Sequence, residues 1–180
     1  MYLFIFVAFI RIKSRMHRRI IMPNKYLKPV YKQIFNKSFD YSDFDNRLQM
    51  QKIIYMLQEL GAPVGDYGFR WYKHGPYSQE LLDDMFLISS SPTTSVIFSY
   101  DAQKRIETIK SLVSQGEKTN YSTAEWVECL ASILYLKKYI FPSSASKDSI
   151  LDDLVKRKPH LKSQKSNEKA FDLISSNFIN

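Results

Sequence analysis

The sequence predicts a mainly α-helical domain of the α+β kind: five or six helices in a compact unit, with a small two-stranded, winged-helix-like element. Three observations carry that expectation. Apolar residues recur at helical spacing through most of the chain, as at Met50, Ile53, Ile54 and Leu57. Helix start signals stand where such runs begin, most fully at Ser122 and Glu125, which have the S-x-x-E spacing of a capping box. Strand-like alternation is confined to two short stretches, Phe69–Tyr72 and Ser95–Tyr100.

Taken in order, Tyr26, Val30, Tyr31, Ile34 and Phe35 mark one face of a first helix. A second is expected from a cap at Asp45 to Leu60, with Gly61 as left-handed stop and Pro63 barring continuation. Its middle is apolar on nearly all sides, so it belongs at the centre of the core. Phe69–Tyr72 reads as a strand with Phe69 and Trp71 on one face and Arg70 and Tyr72 on the other. His74-Gly75-Pro76 ends it, and the expected partner strand is Ser95–Tyr100. Ser78 caps a helix from Gln79 to Ile88, with Glu80 in the first turn where the helix dipole favours an acid. Further helical segments run Asp101–Ser114, from Ser122 toward Pro142, Lys147–Lys158, and from a cap at Asn167.

The 180 residues suit one domain, placed at 22–180. Residues 1–21 join an apolar run, Tyr2–Ile10, to Arg11, Lys13, Arg15, Arg18 and Arg19 without an acid. The run is too short to span a bilayer, and its charges follow the apolar stretch, the reverse of a secretory signal. It is read as a disordered extension or an over-called start ahead of Met22. Those five bases account for most of the net charge of +8; the other 21 of the 26 bases face 18 acids. The body is only mildly basic, a matter of solubility more than of partner choice. Cys129 is the single cysteine, which excludes an internal disulfide and any multi-cysteine metal site. A lone, apolar-flanked thiol fits a reducing, cytoplasmic setting.

The densest motif runs from Asp45 to Met85 and includes Lys52, Ile53, Tyr55 and Gln58, then Trp71, His74, Gly75, Pro76, Glu80 and Leu81. This order resembles the uncharacterised YwgA-type family of small bacterial and archaeal proteins. More distantly, it is similar to the SocA-like Panacea domain of antitoxins. The resemblance implies a non-enzymatic module that binds a protein partner, such as a toxin or a phage-defence component.

Three site readings follow from the residues. The rim Arg70, Tyr72, Lys73, His74 and Tyr77 combines aromatic and basic side chains suited to a protein contact. Lys156, Arg157, Lys158, Lys162 and Lys165 form a basic stretch that suits nucleic-acid phosphates. His74 and Glu80 form the one pair that suggests acid–base, hydrolase-like chemistry. No serine or cysteine nucleophile accompanies that pair, and His17 and His160 lie in basic stretches. No catalytic set, metal or cofactor is expected: Asp83-Asp84 and Asp152-Asp153 diverge as helix neighbours, and no glycine-rich phosphate loop occurs.

Overall fold

The computed structural model describes residues 24–178. Within them seven α-helices and one two-stranded antiparallel sheet form, in the order α1 (Leu27–Phe35), α2 (Phe44–Glu59), β1 (Arg70–Tyr72), β2 (Gly75–Tyr77), α3 (Gln79–Ser89), α4 (Tyr100–Ser114), α5 (Thr123–Tyr135), α6 (Lys147–Arg157) and α7 (Gln164–Phe178). The mainly helical class with a small hairpin is as expected, with seven helices in place of five or six. Residues 1–21 lie outside the described part.

Helix α2 is the core element, and every residue from Leu48 to Leu57 is buried. It packs along α5, which is also buried through its middle, and α7 and α4 close around the pair. Trp126 fills the junction and donates Nε1–H to the Leu112 carbonyl at 2.9 Å, so its one polar atom is satisfied inside the core. Cys129 is buried and free, as expected, and burial pushes its thiol up, away from the thiolate form.

The helix ends obey local chemistry. Gly61 takes φ +75, with Gly61 N donating to Gln58 O and Ala62 N to Leu57 O, the bond pair of a Schellman stop. The Ser122–Glu125 capping box is present in both directions, and Ser78 caps α3. Two expected caps move. Asp43, not Asp45, caps α2, because its carboxylate reaches the Asp45 and Asn46 amides. Asn167 lies inside α7, where its amide donates to Leu161 O and accepts from Tyr121 Oη.

The strand pairing differs from expectation. β1 pairs with β2, with Arg70 opposite Tyr77, Trp71 opposite Pro76 and Tyr72 opposite Gly75. Ser95–Tyr100 supplies no strand; Ser99 instead caps α4. The corner read as a strand end is therefore the turn of a hairpin. Gly75 makes this possible with φ +80, a left-handed backbone that suits glycine. Among the described residues no helix is long and apolar enough to cross a membrane.

Candidate functional site

Three side chains of α2 fasten the hairpin segment to the core. Gln51 brackets Ser78, donating to its carbonyl at 2.8 Å and accepting from its amide at 2.9 Å. Gln58, two turns on, does the same to Tyr67 at 2.9 and 3.0 Å. Between them the Lys52 ammonium donates to the Pro76 carbonyl at 2.7 Å. Lys52 and Gln58 of the 52–81 motif thus serve as backbone clamps, Gln58 on the chain entering the hairpin and Lys52 on its second strand.

Below the hairpin turn lies a buried charge cluster. Glu128, in the middle of α5, has a side chain 3% exposed. The Lys158 ammonium is 3.3 Å from its Oε1 and also donates to the carbonyls of Tyr72 and Lys73. His74 Nδ1 stands 3.3 Å from Oε2, and His160 Nε2 stands 3.3 Å from Oε1. Despite these flanking nitrogens, Oε1 accepts no well-aligned hydrogen bond. The arrangement joins the hairpin, α5 and the loop after α6 through one carboxylate.

Burial dominates the lysine chemistry. Desolvation pulls the Lys52 ammonium down to about 7, with Glu128 opposing the shift and Lys158 adding to it. Desolvation likewise lowers Lys158, again against Glu128. A lysine lowered in the folded state leaves that state with fewer protons than the unfolded chain between about 7 and the ordinary 10.5. Its penalty is therefore largest below pH 7 and is relieved as pH rises through that window. The stability difference between the wild-type protein and Lys52→Met is expected to shift toward the wild type as pH rises from about 7 to about 9.5, read from urea midpoints.

Beside the cluster a groove of about 180 Å³ opens between α2 and the hairpin. Phe44, Arg47, Leu48, Lys52, Tyr72, His74 and Tyr77 are among its lining residues, and the wall is mostly apolar. Phe44 is 53% and Tyr72 66% exposed at its rim. The Tyr72 and Tyr77 rings lie 5.4 Å apart, and Phe44 meets His74 edge-on at 5.4 Å. At this volume the groove accepts a side chain; sites for drug-sized ligands are typically larger, about 300–1,000 Å³.

Of the expected rim, Arg70, Tyr72 and Tyr77 do share one hairpin face, as the register requires. Lys73 occupies the exposed turn, and His74 turns inward to Glu128. The His74–Glu80 pairing is replaced: Glu80 is exposed and accepts from Ser78 Oγ at 2.7 Å, while Glu128 is the acid at His74. The basic stretch is broken in the middle. Lys158 is buried, and Arg157 pairs with Asp153 at 2.6 Å, leaving Lys156, Lys162 and Lys165 exposed and without an ion pair among the described residues. By local pattern Lys158 is a surface charge, since it closes a basic run. The buried Leu154 and Leu161 around it are the sequence signal for its burial. Glu128 had its own signal, a carboxylate set within the apolar run Trp126–Leu136.

Comparison with family models, with curated proteins and with solved structures found no match.

Proposed function

We propose that this protein is a non-enzymatic binding module that holds a partner protein through the groove between α2 and the hairpin. The observation that carries this reading is the groove's lining, an apolar floor under the half-exposed Phe44 and Tyr72. Exposed aromatics around a small apolar recess are the usual anchor arrangement of a protein interface. Arg47 is the fixed positive charge of the lining, Lys52 and His74 are its other basic side chains, and none is acidic. The matching partner segment presents an aliphatic or aromatic side chain flanked by Asp or Glu. The lining offers no serine, threonine or cysteine, so a binding role fits it better than a nucleophilic one. The Asp45–Met85 motif supports the same assignment, a partner-binding protein of the antitoxin or phage-defence accessory type.

The test is co-purification with the product of a neighbouring gene, followed by affinity measurement. Tyr72→Ala and Phe44→Ala are expected to weaken the complex by about 1–2 kcal/mol or more each, the range of interface anchors. Both side chains are largely outside the core, so the urea midpoint of the free protein should hold. Unchanged affinity in both variants would overturn the groove assignment.

A further inference from the structure

We propose that His74, Glu128 and His160 form a binding site for a divalent cation of the Zn²⁺ class, with a further position left for water or an incoming donor atom. This does not rest on the groove's role. The three residues come from three separate elements: the hairpin turn, the middle of α5 and the α6–α7 loop. One donor atom from each lies within 4.8 Å of the others. Both imidazole-to-carboxylate separations are 3.3 Å. Two ligands, each about 2.0–2.1 Å from a tetrahedral zinc ion, stand about 3.3 Å apart, so both edges already have coordination spacing. The imidazoles address different oxygens of Glu128, and a bidentate carboxylate or a small carboxyl rotation brings both to one ion.

A second observation points to a missing ligand. Glu128 Oε1 is buried and accepts no well-aligned hydrogen bond, its nearest donors being Lys158 Nζ and His160 Nε2 at 3.3 Å each, although buried acceptors are nearly always satisfied. The imidazoles are 35% and 41% exposed, which gives an ion a way in from solvent. Two imidazoles and one carboxylate form a donor set suited to zinc and neighbouring transition ions. Lys158 opposes this occupancy, since its ammonium is 3.3 Å from Oε1. It has other acceptors in the Tyr72 and Lys73 carbonyls. Its charge should hold affinity below that of dedicated structural zinc sites.

The full chain, stripped with a chelator, is titrated with Zn²⁺ against a chromophoric competitor, and Co²⁺ spectra report the geometry. The expected result is one equivalent bound, tetrahedral or five-coordinate Co²⁺ bands, and a zinc-dependent rise in melting temperature. His160→Ala and His74→Ala should each lower the affinity by at least about 10–100-fold, the range produced even by outer-sphere changes. His160 is the safer variant for folding because its side chain is exposed. No binding by the wild-type protein, or binding that survives both His74→Ala and His160→Ala, would overturn the site and leave the cluster as a hydrogen-bonded brace.

Discussion

Glu128→Gln is expected to destabilise the fold by about 3–5 kcal/mol, the cost of removing one partner from a buried ion pair. The side chain keeps its size, so the loss is electrostatic and not a cavity. Glu128 is the carboxylate that opposes the desolvation of both Lys52 and Lys158, two ammoniums at most 2% exposed. Without it they repel each other in a low-dielectric setting, and their remaining partners are carbonyls. Both then favour the neutral form still more strongly. The penalty should therefore be larger at about pH 6 than at about pH 9, because high pH lets the lysines shed the unwanted charge.

Adding Lys158→Met to Glu128→Gln should recover part of the loss, since exchanging a whole buried pair for apolar volume is often neutral or better. Urea unfolding of the two single variants and the double variant gives the coupling directly. A Glu128→Gln cost below about 0.5 kcal/mol, typical of an unremarkable surface change, would show that the carboxylate does not hold the lysines in place.

What could be read from the sequence was local. The Gly61 stop, the Ser78 cap and the Ser122–Glu125 box each depend on residues within a few positions, and each forms as expected. The central placement of α2 also followed, from an apolar pattern too broad for a surface helix. The hairpin did not follow, because Pro76 argues against a strand wherever an N–H must pair on both sides. In a two-stranded sheet each strand has a free edge, and that objection lapses. Here Pro76 sits opposite Trp71 and gives its carbonyl to Lys52.

The charge cluster was beyond local reasoning. Glu128 meets His74, Lys158 and His160 across 54, 30 and 32 positions, so only the packing of three elements defines it. Sequence marked Lys52 as a motif residue but gave no reason for a lysine. The reason is a carbonyl of the hairpin, at 2.7 Å. The His74–Glu80 reading failed for the same cause: adjacency along the chain outweighed a partner more than 50 residues away. Arg70 and Tyr72 do share a face as expected, because alternation along a strand fixes which side chains point the same way.

The hairpin turn is where fold and site are most tightly joined, and Gly75→Ala is the substitution that tests the joint. Two costs add. Alanine at φ +80 enters the left-handed region at about 1–2 kcal/mol. Its β-carbon would also stand 2.5 Å from Ser132 Oγ on α5, an overlap that something must relieve. Forcing extra atoms into a filled interior typically adds about 1–3 kcal/mol. The expected total is therefore about 2–5 kcal/mol, as a lower urea midpoint at unchanged m-value.

The two parts can be separated. Ser132→Ala removes the clashing hydroxyl without placing a glycine inside α5, so the double variant Gly75→Ala/Ser132→Ala should recover the steric share and retain the backbone share. Relief of the strain would lift the turn away from α5, and the turn carries His74 and is flanked by Tyr72 and Tyr77. Partner affinity in Gly75→Ala should then fall even under conditions where the protein remains folded, and the double variant should restore it. A variant that loses stability but keeps full affinity would mean that the groove does not depend on how closely the hairpin sits against α5.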